Sequence, residues 1–161
     1  AYLKHHWEDI GAQTGKVFNF DLLQQEPLVY HTEPACRAVF AARMMNPDLT
    51  LAFYTAAQES FYAQALNLSD VTTYIPICQS LGLEVERFVY LFEATSTREA
   101  LEDEFDAVRM LGANAFPTVL LHYQDQYRRI ARGFIPLSQM VAQVEKELAQ
   151  FDIHIKPHNP L

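Results

Sequence analysis

Cysteine is scarce in this chain: Cys36 and Cys78 are the two it has. A reactive dithiol needs both sulfurs within about one helical turn, so that one thiol is activated and the other resolves. No Cys-x-x-Cys occurs, which excludes a redox pair built from these residues. Both thiols read as small apolar groups packed in a core, and their spacing neither requires nor forbids a disulfide. Positive charge is also short, with 12 Lys and Arg against 20 Asp and Glu, for a net charge of −8. Binding to nucleic acid or to an anionic membrane surface relies on cations that neutralise phosphate, and this balance argues against both. Only 5 glycines are present. No glycine-rich phosphate loop, nucleophile elbow or metalloprotease motif appears. No apolar run approaches the roughly 20 residues that cross a bilayer. No secretory signal stands at Ala1, so a cytoplasmic location is expected. Internal repeats and low-complexity tracts are absent as well.

What remains is a chain built to fold. Half of its 161 residues are hydrophobic and 12% are aromatic, enough for one compact domain or two small lobes. Residues 2–14 have Leu3, Trp7 and Ile10 on one face, with Gly15 as a stop. Thr32, Glu33 and Pro34 suit a helix start, with Thr32 as the cap, for a helix that runs to Met45 before Asn46-Pro47. Asp48 to Asn67 is the longest helix expected. Ser69 or Asp70 caps the next, which Pro76 should split and Gly82 should end. Residues 84–93 put Val85, Phe88, Val89 and Phe92 on one side. Ser96 and Glu99 form a capping box for a helix whose stripe is Leu101, Phe105, Val108 and Leu111. The expected division is a helical subdomain over 1–95, a helix–strand–strand–helix part over 96–151, and a fraying tail over 152–161.

Candidate chemistry among the other residues is thin. His5 and His6 beside Glu8 and Asp9 make a poor chelate, because adjacent helical residues point about 100° apart. His154 and His158 have i, i+4 spacing, but the surrounding prolines oppose a helix. No metal site is expected. Cys36, one turn into a helix, has the one position where a helix terminus could lower a thiol pKa.

The informative stretch is Gly112 to Gly133. Gly112 closes a helix, Phe116-Pro117 leads into the apolar run Thr118 to Leu121, and Gln124 to Gln126 turns the chain. Tyr127 to Arg132 returns as a second strand, and a last helix begins near Pro136 with Leu137, Met140, Val141, Val144 and Leu148 on its core face. Proline is normally kept out of a strand except at its first residue. Pro117 is therefore either an ordinary strand-opening proline or a cis-proline. The strand 118–123 is apolar almost throughout, as expected for one covered on both faces.

Gly112-Ala113-Asn114-Ala115-Phe116-Pro117-Thr118, with the hairpin and helix that follow, resembles the cis-proline segment of the thioredoxin superfamily. Glu33-Pro34-Ala35-Cys36-Arg37-Ala38-Val39 resembles the DsbA-like, FrnE-type branch of bacterial predicted protein disulfide isomerases. The likeness runs over about residues 7–150. It implies an α/β, thioredoxin-like fold of the DsbA type with a large helical insertion. It implies also an N-terminal strand–helix–strand unit, carrying Cys-x-x-Cys, that is not in these 161 residues. The resemblance makes Phe116 the residue whose backbone pairs with an extended substrate, Pro117 the cis-proline, and Ala115 and Thr118 their flanks. No residue here is then catalytic.

The function so implied is that of a thiol–disulfide oxidoreductase or isomerase acting on peptide or protein thiols, seen without its redox motif. Two alternatives stay open. One is a glutathione-dependent enzyme of the kappa-transferase or 2-hydroxychromene-2-carboxylate isomerase type. The other is a redox-inactive peptide-binding module. Under the main reading no cofactor is needed; under the first alternative glutathione is. Neither nucleic acid nor membrane is a partner, and an open apolar strand edge points to a homo-oligomer.

Overall fold

The computed structural model describes residues 2–24 and 31–151. The expectations for His154 and His158 and for the tail 152–161 lie outside those residues. The chain divides into two compact units, Ala1–Glu102 and Asp103–Leu161.

The first unit is helical. Helix α1 (Tyr2–Thr14) ends at Gly15, whose φ of 70° breaks the helix. A 3-10 turn follows at Phe20–Gln24. Trp7 is buried with Leu22 and Ala65, and its ring meets those of Phe18, Phe20, Phe61 and Tyr62 at 5.3–6.2 Å. Aromatic rings at these separations add attraction beyond their area burial.

Helix α2 (Glu33–Met45) begins at Thr32, with a proline in its first turn. Thr32 holds the capping position, but its side chain makes no capping bond because its backbone is already helical. The face that α2 buries is Pro34, Arg37, Ala38, Ala41 and Ala42. Cys36, Val39, Phe40 and Arg43 are half-buried instead. The small alanines lie at i, i+3, i+4 spacing, which lets neighbouring elements approach closely.

Pro47–Leu49 forms a 3-10 turn before α3 (Thr50–Tyr62). Helix α3 stops five residues short of Asn67. Ala65 adopts φ 57°, and the Leu66 and Gln64 N–H groups donate back to the Ser60 and Glu59 carbonyls. A helix end closed this way usually carries glycine or asparagine, so alanine gave no warning.

Asp70 caps a 3-10 turn, Val71–Tyr74, that leads into the short α4 (Ile75–Ser80) with Pro76 in its first turn. The Asp70 Oδ1 accepts from the Thr72 hydroxyl at 2.7 Å and the Thr72 N–H at 2.9 Å. Those bonds, the side-chain one first, hold its carboxyl below the usual range. Gly82, at φ 69°, closes α4 with Leu83 N–H to Cys78 O at 2.9 Å. Helix α5 (Val85–Glu93) supplies Phe88 and Phe92 to a core shared with Phe53, Ala57, Tyr74, Ile77, Cys78 and the α2 alanines.

Helix α6 (Thr95–Met110) is the longest described, at 16 residues, and the division between the units falls inside it. It starts at Thr95, so Ser96 lies within the first turn rather than at the capping-box position. Gly112 ends it in a Schellman closure: Ala113 N–H donates to Val108 O at 3.2 Å and Gly112 N–H to Arg109 O at 2.9 Å, with Gly112 at φ 75°.

In the second unit β1 (Thr118–Tyr123) and β2 (Gln126–Arg132) form a two-stranded antiparallel sheet. Gln124 and Asp125, both at positive φ, make the tight turn that matches strand twist. Val119 pairs with Ala131 and Leu120 with Arg129. Ile130 therefore has no partner on β1 and forms a β-bulge. Helix α7 (Leu137–Ala149) lies against β2, with Arg128 Nε 3.8 Å from Glu147 Oε2. Two expectations need correction here. No residue of β1 is fully buried, because α7 covers one face only; and on the expected core face of α7 Met140, Val144 and Leu148 are half-buried while Leu137, 76% exposed, and Val141 are open.

Candidate functional site

The loop between Gly112 and Thr118 is held from both ends. On one side the Schellman closure fixes Ala113, which is buried. On the other, the Gly133 N–H donates to Pro117 O at 2.7 Å, tying the loop to the end of β2. The Thr118 hydroxyl donates to Ala115 O at 2.5 Å, a local closure across Phe116 and Pro117. The Phe116–Pro117 peptide is cis.

Phe116 stands out from this frame. Its side chain is 83% exposed. Among the described residues, neither its N–H nor its C=O has a hydrogen-bonding partner. A backbone donor and acceptor left open beside a strand are what an extended peptide needs in order to pair. Thr118 faces Arg132 across the ladder, and Arg132 Nη2 reaches Asn114 Oδ1 at a long 3.4 Å.

The two cysteines belong to the first unit. No disulfide joins them. Cys78 is fully buried among Phe53, Tyr74 and Phe88, and burial pushes its thiol up to about 11. A thiolate is strongly disfavoured there. Cys36 is half-buried in the first turn of α2, not fully buried as expected. His5, on the exposed side of α1, lies 3.6 Å from Asp9 and 4.0 Å from Glu8, contacts of an open helix surface. Among the described residues no group of three or more His, Cys, Asp or Glu could hold a metal ion. None of their helices is long and apolar enough to cross a membrane.

Sequence reasoning missed one buried charge. Arg37 is 5% exposed, and its guanidinium stacks 4.3 Å over the Phe92 ring. Its Nε lies 3.1 Å from Glu33 Oε1, an ion-pair contact in which the N–H does not point at the oxygen, and Nη1 has no hydrogen-bonding partner. Nearby Tyr74 is held protonated chiefly by burial, and its hydroxyl donates to Leu68 O at 2.6 Å. Arg37 and Glu33 sit at i, i+4, the spacing that gives away the pair. Nothing in the sequence shows that the pair faces inward.

No known family pattern matches the chain, and neither does any curated protein sequence. Solved structures do. A predicted protein disulfide isomerase from Nitrosomonas europaea has TM-score 0.85 and 24% identity, covering 92% of this chain and 73% of its own. The cytosolic disulfide reductase DsbM from Pseudomonas aeruginosa gives TM-score 0.77 and 24% identity over 92% of this chain and 76% of its own. DsbM with GSH gives 0.70 and 23%, over 95% and 78%. At these identities the likeness carries the architecture: the chain has the DsbA-like thioredoxin fold, rich in helix, with a small two-stranded sheet.

Proposed function

We propose that this chain serves a thiol–disulfide oxidoreductase or isomerase of the DsbA type, and that its own part is to hold the substrate. Ala115, Phe116, Pro117 and Thr118 form the platform. The observation that carries this is the open backbone of Phe116 beside an exposed ring. An extended peptide hydrogen-bonds to the Phe116 N–H and C=O, and the ring covers its flank. The neighbours with this fold are named as a disulfide isomerase and a disulfide reductase, which supports the reading.

The exchange itself is thiolate chemistry. A thiolate attacks one sulfur of a disulfide, a mixed disulfide forms, and the other sulfur leaves as thiolate. Cys78 is buried and protonated, and Cys36 has no second cysteine near it in sequence to resolve a mixed disulfide. Neither supports the reaction, so no residue of these 161 is assigned as catalytic. In this reading residues 1–95 act as the helical insertion and 96–151 as the substrate-bearing part. The chain works in the cytoplasm on protein thiols, consistent with the cytosolic designation of DsbM.

The test is binding without turnover. Titration with an extended peptide containing S-methylcysteine should shift the Phe116 and Thr118 amide resonances. A reduced dithiol peptide mixed with the chain should stay reduced. Stoichiometric oxidation that survives Cys36→Ala with Cys78→Ala would place the chemistry elsewhere.

A further inference from the structure

The β-hairpin breaks the charge balance of the chain. Overall charge is −8, yet between Gly112 and Glu145 the single acid Asp125 stands against Arg128, Arg129 and Arg132. In an unbroken strand side chains alternate, so Arg129 and Arg132, three apart, would face opposite sides. The Ile130 bulge removes that opposition. Thr118 pairs with Arg132, Leu120 with Arg129, and His122 with Tyr127, so these six share one face. The stacked rings of His122 and Tyr127, 4.4 Å apart, show that face directly.

The other face carries Arg128, whose guanidinium meets Glu147 of α7, and Tyr123, whose ring meets Phe151. The face with Arg129 and Arg132 is open: both arginines and His122 are exposed, and Tyr127 is 46% exposed. No carboxylate among the described residues pairs with either arginine. Arg132 sits directly across the ladder from Thr118, the flank of the Phe116 platform.

We propose that this hairpin face selects acidic peptides: Arg129 and Arg132, brought to one side by the Ile130 bulge, meet carboxylates next to the cysteine of a peptide held at Phe116. The arginine forks suit carboxylates, and an acidic partner is the one that the local charge attracts while the rest of the chain repels it. The inference rests on the platform reading above and adds the substrate class to it.

The experiment compares three extended peptides of one length, each with a central S-methylcysteine flanked by two Asp, two Gln or two Lys. Affinity is measured by fluorescence anisotropy at low ionic strength. The Asp peptide is expected to bind roughly fivefold tighter than the Gln peptide, the size that two exposed charge pairs give. The Lys peptide should be weakest, and added salt should shrink the spread. Arg129→Gln with Arg132→Gln should bring the Asp peptide to the level of the Gln peptide. Arg128→Gln, which removes one positive charge from the other face, should keep the preference. Equal binding of Asp and Gln peptides, or a preference that survives the double variant, overturns the selection while leaving the platform intact. Failure of all three peptides to bind sinks the platform reading, and the selection falls with it.

Discussion

The two units spend their apolar residues differently. In residues 31–102 four large rings are packed together: Phe53, Tyr74 and Phe88 are fully buried, with centroids 5.4–6.0 Å apart, and Phe92 joins them, while Tyr54 and Tyr90 are exposed. Among the described residues of the second unit the buried apolar ones are Ala113, Ile130 and Ala131, while Phe116, Phe134 (63% exposed), Leu137 and Met110 face outward. The first unit has a buried aromatic core; the described residues of the second unit have none. An exposed single apolar residue is ordinary, but Phe116 combines its exposed ring with an open backbone. The contrast puts the packed aromatic core in one unit and the proposed peptide platform in the other.

The largest effect should come from the packed unit. Phe88→Ala removes the ring that touches Phe53, Tyr74 and Phe92 and should cost about 3–5 kcal/mol in denaturant unfolding. Leu137→Ala, on the open side of α7, should fall within about 0.5 kcal/mol. Similar losses for the two would break the contrast.

Arg37 sharpens the same point at its weakest spot. Arg37→Ala takes a side chain off Phe92 and leaves Glu33 alone, and about 2–3 kcal/mol should be lost. Arg37→Met keeps the volume without a buried cation, and the loss should stay under about 1 kcal/mol. Equal losses would show that the ion pair, not the packing, matters.

Thiol labelling reads the contrast kinetically. In native protein at pH 8, Cys36 should react with a small alkylating reagent at least tenfold faster than Cys78, whose burial withholds both access and the thiolate. The difference should vanish in denaturant. Comparable native rates would mean that the core opens readily.

Asp70 gives the smallest effect. Its folded pKa is lowered, so its stabilising contribution is present above the ordinary Asp range and fades as pH falls through the folded value. Asp70→Ala should lower Tm slightly at pH 7, and the gap should close in strong acid. A gap that persists there would assign the effect to something other than the carboxylate.

Much of this was legible in sequence where local rules and tertiary demands agree. Gly15, Gly82 and Gly112 ended their helices as expected, and the hairpin followed from two strand-like runs around a polar turn. The fold class was readable because the helix–Pro–hairpin–helix order is specific. What escaped was set by long-range packing. Ala65 closes α3 without a glycine. Ser96 lies inside a helix that begins one residue earlier. Arg37 turns inward because Phe92 offers a face. The Ile130 bulge leaves no mark in composition, since an extra residue shows only once the register of both strands is known. At the site, Phe116 was legible as a position; its open backbone and the arginines beside it were not.

The central claim is that Phe116 holds an extended peptide and that nothing in this chain oxidises it. Amide-resolved NMR with a reduced dithiol peptide tests both at once. The account predicts shifts at Phe116 and Thr118, none at Cys36, and a peptide that remains reduced. Shifts centred on Cys36 together with oxidised peptide would contradict it.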